Sequence, residues 1–193
     1  MIRMQDQALY RRVFQHLPVL STERLILRPV RYSDAASMFE YSQDEEVSRY
    51  VLWDPHRSVL DSYESIRDLR RQYRHGWPSS YAIALKDSDK LIGTIGFMWL
   101  NTENKSAEIG YSLSKAYWNQ GFMTEALKAM IGFAFDTLHL HRIEAQHDLR
   151  NPASGKVMAK AGMTEEGVLR DRIFNKGRYC SVAVYAIINP QQE

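Results

Sequence analysis

Glu108, Gly110 and Ser112 alternate with Ala107, Ile109, Tyr111 and Leu113 in the run AEIGYSL, so the two sets fall on opposite faces of a strand. Glycine and serine leave room beside such a strand. A carboxylate next to that room is what a slender acyl chain and a nearby base require. Taken alone, Glu108 reads equally well as a solvated carboxylate on a strand. A short loop with Asn119-Gln120-Gly121 follows, and a long helix begins near Gly121. The first turn of a helix offers unpaired main-chain N–H groups and the positive end of its dipole, and a glycine there lets backbone approach a phosphate closely. A turn that merely needs glycine explains the same residues. Asn151 and Ser154 stand at the start of a later helix, where by default one is a cap and the other an ordinary first-turn hydroxyl.

Other chemistries find less support. The histidines are His16, His56, His75, His139, His141 and His147, and none belongs to an HExxH motif. His139 and His141 could converge, but two ligands are not a metal site, and no metal is expected. Cys180 lies in an alternating apolar strand and reads as packing. There is no Gly-x-Ser-x-Gly elbow, no phosphate-binding loop of the P-loop type and no dinucleotide fingerprint.

The elements that must position these residues are legible in outline. Residues 1–20 suggest a short helix ended by Pro18, and residues 23–29 (ERLILRP) a first strand. Ser33 and Asp34 are placed to cap a helix through about Ser42, and a second helix is expected over 59–74, ended near Gly76 and Pro78. Strands at 81–85, 91–100 and 107–113, joined by short turns, make an antiparallel meander. Residues 120–138 carry the strongest helical pattern, with a wide apolar face from Phe122 to Leu138. A strand at 141–149, a helix from Asn151-Pro152 to Gly162, and a strand pair at 168–174 and 179–188 complete the chain. The order is βααβββαβαββ, an α/β (α+β) arrangement with a mixed, mostly antiparallel sheet and helices on both faces.

Composition sets the outer bounds. With 193 residues, 45% of them apolar, the chain is sized for one domain that buries roughly 70% of its unfolded surface. Lys plus Arg number 25 and Asp plus Glu 23, a net charge of +2 that excludes a strongly basic nucleic-acid binder and an acidic tail. A single cysteine excludes an intrachain disulfide and any zinc site with two or more cysteine ligands, which makes a reducing compartment the simpler expectation. No run approaches the roughly 18 apolar residues of a spanning helix, and the start is interrupted by Asp6, Arg11, Arg12 and His16. A cytoplasmic protein without membrane partners is expected.

Three segments together carry a resemblance: AEIGYSLSKAYWNQGFMTEAL, NPASGKVMAKAGMTEEG and NKGRYCSVAVYAI. They resemble the GNAT superfamily of acyl-CoA N-acyltransferases, and within it the RimJ/RimL branch, the N-terminal acetyltransferases of ribosomal proteins and their relatives. STERLILRPVRYSDA is similar to that branch's first strand and helix. The resemblance covers about 21–188 and leaves 1–20 as an N-terminal extension of a single domain, 1–193. It implies a GNAT-like sheet, acetyl-CoA as donor and a primary amine as acceptor, foremost the α-amino group of a protein or peptide N-terminus, as in ribosomal-protein-alanine N-acetyltransferases. A polyamine, amino acid or aminoglycoside is the alternative acceptor, and an acyl-CoA-binding module without turnover the second alternative. A monomer or homodimer without direct nucleic-acid contacts is implied.

The superfamily's phosphate-binding pattern, Gln/Arg-x-x-Gly-x-Gly/Ala, falls on Trp118-Asn119-Gln120-Gly121-Phe122-Met123. Gly121 matches; Trp118 and Met123 depart. Main-chain amides do most of such binding, so those of Asn119, Gln120, Gly121, Phe122, Met123 and Thr124 are expected to hold the diphosphate. The backbone of Gly110, Tyr111, Ser112 and Leu113 would pair with the pantetheine arm as an added strand does. Asn151 and Ser154 match the branch's Asn-x-x-Ser and would lie near the thioester. Glu108 would act as base through a water, a main-chain N–H of residues 109–111 would face the oxyanion, and Ser154 would serve the leaving sulfur. The tyrosine that many members use for that last task falls on Met158, and a carboxylate used by close relatives falls on Ile173. The region 53–77, with Trp53, His56, Tyr63, Tyr73 and Trp77, is expected to line the acceptor side, and Asp44-Glu45-Glu46 to form a solvated face.

Overall fold

The computed structural model describes residues 2–191, with side chains from Asp6 onward. The chain begins with α1 (Ile2–Gln15) and a two-residue strand β1 (Leu20–Ser21) that pairs with β2 (Leu25–Pro29). A 3-10 turn (Tyr32–Asp34) leads into α2 (Ala35–Ser42), followed by the short α3 (Glu45–Ser48) and the long α4 (Val59–His75). Then come β3 (Ser80–Leu85), β4 (Leu91–Asn101), β5 (Ser106–Leu113), α5 (Phe122–Asp136), β6 (Arg142–Asp148), α6 (Pro152–Lys160), β7 (Thr164–Asn175) and β8 (Arg178–Ile188).

The strands form one sheet in the order β1-β2-β3-β4-β5-β6-β8-β7. All neighbours are antiparallel except β5 and β6. The long connection through α5 is the crossover that a parallel pair demands. That pair is short: Ser106, Ala107 and Glu108 face Arg142, Ile143 and Glu144, and the register ends there. β6 instead stays with β8 along its whole length, from Arg142 to Asp148. Beyond Glu108 the two central strands diverge into a wedge. Across β5, a register shift between Phe97 and Trp99 of β4 bulges Met98 out of the ladder.

Apolar residues close both faces. Phe14 of α1 and Leu127, Met130 and Ala134 of α5 are fully or almost fully buried in a large cluster with Leu27, Ile95, Ile109 and Ile143 of the sheet. Val30, Met38, Tyr41, Val47 and Ile66 form a second cluster that caps the opposite face near Ala82 and Leu91. Each such side chain contributes roughly 1.5–3 kcal/mol by leaving water. α4 ends as expected: Gly76 takes φ +67, and Gly76 and Trp77 donate to the carbonyls of Tyr73 and Gln72. Among the described residues no helix is long and apolar enough to cross a membrane.

Asp34 does not cap α2 through its side chain. Its carboxylate accepts from the Arg31 amide at 2.7 Å and binds both arms of Arg28 at 2.8 and 2.9 Å. Arg28 is 2% exposed. Burial of a guanidinium demands a charged partner, and that demand overrides the cap. Arg28 also reaches Asp89 in the β3–β4 turn at 2.6 Å. The acidic run is likewise more than a solvated face. Asp44 caps α3 by accepting from Glu46, and Glu46 pairs with Lys115.

Asp34→Ala, which removes the bidentate partner of the buried Arg28 and leaves it Asp89 alone, is expected to lower unfolding free energy by up to about 3–5 kcal/mol, read as a drop in the urea midpoint at neutral pH. Asp89 is held below the usual carboxylate range, first by its hydrogen bond from Arg28. The stability it contributes is complete above the ordinary aspartate pKa of about 3.9 and is lost as pH falls through the depressed native value. Asp89→Asn suits the left-handed φ of +55 at this position. It is expected to flatten the loss of melting temperature seen in the parent on acidification below about pH 4.

Candidate active site

The wedge opens into a cavity of about 1210 Å³ that runs from the first turn of α5, past β5 and the start of α6, to α4 and the β7–β8 pair. Glu108, Gly110, Tyr111, Ser112, Leu113, Trp118, Asn119, Gly121, Phe122, Met123, Thr124, Asn151 and Ser154 all line it; Gln120 does not.

At one end the chain leaves β5 through a 3-10 turn (Lys115–Tyr117) and enters α5 at Gly121. Asn119 and Gly121 have φ of +60 and +82, left-handed values that bend the loop into a concave nest of amides. A Cβ on Gly121 would meet only the Arg24 guanidinium, at 3.5 Å, so the positive φ rather than crowding selects glycine there. The first helical bond of α5 runs from Glu125 N–H to the Gly121 carbonyl. The amides of Asn119, Gly121, Phe122, Met123 and Thr124 have no main-chain partner among the described residues, whereas the Gln120 amide closes the turn over residues 118–119. The Gln120 side chain turns back to the Ala116 carbonyl at 2.8 Å. The Trp118 indole N–H donates to the Leu113 carbonyl at 2.8 Å, which removes that carbonyl from any added strand.

Midway, the Glu108 carboxylate stands where the β5–β6 register ends. It accepts from Trp99 Nε1 at 2.7 Å and from Gln146 Nε2 at 2.9 Å, both neutral donors. The space over Gly110 is taken by Met98, whose sulfur lies 2.7 Å from where a Cβ would stand. Ser112 is buried against Thr94, 3.2 Å between hydroxyl oxygens. On the other face of β5, the Tyr111 hydroxyl lies 2.9 Å from Ser154 Oγ and 3.2 Å from the Ser154 carbonyl. Burial pushes the Tyr111 phenol above its ordinary range, so it keeps its proton. Asn151 starts α6 with its carbonyl accepting from Ser154 N–H at 3.1 Å, and its side chain makes no cap hydrogen bond.

The far end is walled by Tyr50, Trp53 and His56, by Ser65, Asp68, Leu69 and Gln72 on one face of α4, and by Ile173, Asn175 and Cys180. Of the aromatic residues expected here, only Trp53 and His56 line the cavity. Tyr63 stacks outside on Tyr32 at 4.7 Å, Tyr73 is buried with its hydroxyl on the Ser80 carbonyl, and Trp77 stacks on His75 at 4.6 Å. His56 lies 2.7 Å from Ser62 Oγ, and burial lowers its pKa, only partly opposed by Asp61. Asp148 binds Arg150, which also reaches Cys180 Sγ at 3.2 Å, and burial pushes the thiol up. The β7–β8 tip is fastened over this end: Asn175 donates to the Val51 carbonyl at 3.1 Å and Lys176 to the Ser48 carbonyl at 2.6 Å. Gln146 and Trp99, the two residues that hold Glu108, carried no signal in the sequence. No group of three or more metal-ligating side chains occurs among the described residues.

Comparison with known proteins agrees with this architecture. The family description "Acetyltransferase (GNAT) domain" matches residues 24–164. The chain is 34% identical over 172 residues to an uncharacterized N-acetyltransferase, p20, of Bacillus licheniformis, covering 89% of this chain and 97% of that protein. It is 27% identical over 187 residues to the [ribosomal protein uS5]-alanine N-acetyltransferase of Escherichia coli, covering 89% and 91%. Among solved structures, RimJ of Mycobacterium smegmatis in complex with CoA-disulfide shares the fold with a TM-score of 0.81 at 24% identity, covering 92% of this chain and 90% of that one. With a nest of free amides opening onto a split sheet, and with the family match spanning most of its length, the chain belongs to the GNAT family as an N-acetyltransferase of RimJ/RimL-like type.

Proposed function

We propose that this enzyme acetylates the α-amino group of a protein or peptide N-terminus. The observation that carries the reading is the charge of the acceptor wall. The carboxylates lining the cavity are Glu46, Asp68, Glu108 and Asp148, and Arg49, Lys156 and Lys160 line it too. Glu46 is paired with Lys115, Asp148 with Arg150, and Asp68 with Arg71 at 3.5 Å, which leaves Glu108 as the one with neutral partners only. A polycationic acceptor would be served by an excess of unneutralised acid; a single amine on an otherwise neutral chain needs one carboxylate. Tyr50, Trp53, His56, Ser65 and Gln72 supply apolar faces and neutral hydrogen-bonding groups suited to a peptide.

The residues fit acetyl-CoA as donor, because the free amides at the start of α5 form an anion site continuous with the wedge. When bound, acetyl-CoA supplies a thioester whose carbonyl carbon takes the amine and whose thiolate leaves. The amides of Asn119 and of Gly121 to Thr124 hold its diphosphate, and the β5 edge beyond Glu108 pairs with its arm. Glu108 removes a proton from the ammonium through a water, and the amine lone pair becomes free to form the new C–N bond. A main-chain N–H of residues 109–111 faces the carbonyl oxygen as negative charge gathers on it. Ser154 Oγ–H donates to the departing sulfur as the C–S bond breaks, and the second proton, shed by the nitrogen as it becomes an amide, returns through solvent to the serine. Tyr111, whose phenol stays protonated, lies 2.9 Å from Ser154 Oγ, and in the orientation in which the phenol donates to Oγ the serine hydrogen is turned toward the sulfur.

A panel of acceptors assayed by thiol release separates the readings. Peptides with a free α-amine are expected to turn over, with kcat/KM rising as pH passes the α-amine pKa of about 7.7–8.0. The same peptides with a blocked N-terminus and an internal lysine are expected to be inert, and turnover of polyamines alone would overturn the proposal. Glu108→Gln is expected to lower kcat/KM by about 10²–10⁴ with the best peptide. In a double-mutant cycle, Tyr111→Phe should slow the parent but add nothing to Ser154→Ala, because its hydroxyl acts through the serine.

A further inference from the structure

Arg24 sits in the turn between β1 and β2, far in sequence from the amide nest, and its guanidinium is committed to it. Its Nε donates to Glu125 Oε2 at 2.8 Å and one terminal nitrogen to the Gln120 carbonyl at 3.0 Å. The other terminal nitrogen is the group 3.5 Å from where a Gly121 Cβ would stand, and the cation lies 4.1 Å from the Phe122 ring centre. The Arg24 amide and the Thr22 hydroxyl complete the hold on Glu125 at 2.8 and 2.6 Å.

Two consequences follow from elementary chemistry. In a planar trans peptide the carbonyl and the next N–H point in opposite directions. Drawing the Gln120 carbonyl outward onto Arg24 therefore turns the Gly121 N–H the other way, into the nest. Left-handed φ at Asn119 and Gly121, which asparagine and glycine tolerate, flanks that peptide and shapes the loop around it. Second, Glu125 places a carboxylate in the first turn of α5, beside the amides meant for an anion. Burial raises its pKa, but the bonds from Thr22 and Arg24 outweigh burial and keep it ionised. Left alone, that charge would repel a diphosphate.

We infer that Arg24 is a positioning residue for the diphosphate of the acyl donor, aiming the Gly121 amide through the Gln120 carbonyl and neutralising Glu125. The inference rests on the reading that the amides of Asn119 and of Gly121 to Thr124 hold that diphosphate. The test is calorimetric binding of CoA and of pantetheine, which lacks the diphosphate, to the parent enzyme, Arg24→Ala and Arg24→Lys. Arg24→Ala is expected to weaken CoA about ten- to hundred-fold and to leave pantetheine unchanged. Arg24→Lys keeps a charge near Glu125 but lacks the second arm for Gln120, and should fall between; it carries the test should the alanine variant melt too early. In the Ala background, Glu125→Gln is expected to restore part of the CoA affinity. Unchanged CoA affinity in Arg24→Ala would overturn the role of Arg24. A parent enzyme that binds CoA no tighter than pantetheine would overturn the amide-nest reading beneath it.

Discussion

The parting of β5 from β6 after three paired residues is the constraint on which the rest of the structure depends. A sheet interior normally satisfies every main-chain group between strands. Here β6 stays bound to β8 beyond the point where its pairing with β5 ends, and β4, on the other side of β5, carries the Met98 bulge. The wedge places the end of β5, the start of α5 and the start of α6 around one cavity. Glu108 marks the last paired position, so its side chain is fixed by the closed part of the sheet while facing the open part.

Groups in the wedge are held by neighbours that are not themselves at the reaction centre. Trp99 and Gln146 fix Glu108 with two neutral hydrogen bonds, Tyr111 meets Ser154, and the β7–β8 tip is tied to the loop after α3 by Asn175 and Lys176. Bonds of this kind cost little in a rigid scaffold, because the strands that carry the partners are already ordered by the core. Cationic partners are kept from Glu108 and supplied to Asp148, Glu46 and Asp34 instead. The net charge of +2 conceals this segregation, which exists only in three dimensions.

Local pattern carried the long elements. The apolar face of α5, the Gly76 stop of α4 and the Asn151-Pro152 start of α6 all have their cause within a few residues, and the structure keeps them within about two positions. Short or exposed elements did not follow. β1 has two residues, α3 has four, and β7 starts at Thr164 rather than 168 because an edge strand exposed nearly throughout shows no alternation. Which residues of 53–77 line the cavity was only partly legible, for a geometric reason. Ser65, Leu69 and Gln72, with Asp68 beside them, recur every three or four residues and so share the face of α4 toward the cavity. Tyr63 and Tyr73 occupy other faces, and Trp77 lies beyond the helix end. Arg24, Trp99 and Gln146 meet their partners only through strand order and register, which no short window of residues contains.

Met158, the position at which the family resemblance would place a tyrosine, is buried at 1% exposure in the main cluster. The phenol missing from α6 has a counterpart across the wedge: Tyr111 rises from β5 and ends on Ser154 in the first turn of α6. A lone serine hydroxyl is a poor proton donor. A second hydroxyl that donates to it polarises its O–H bond and restricts its rotation, so the pair can stabilise departing charge better than either group alone. The proposed chemistry thus moves from one long side chain on a helix to two shorter reaches meeting between strand and helix. Such an arrangement works only while β5 and α6 keep their separation, and Ile109 of β5 and Met158 of α6 are both buried in the main cluster that holds the two elements.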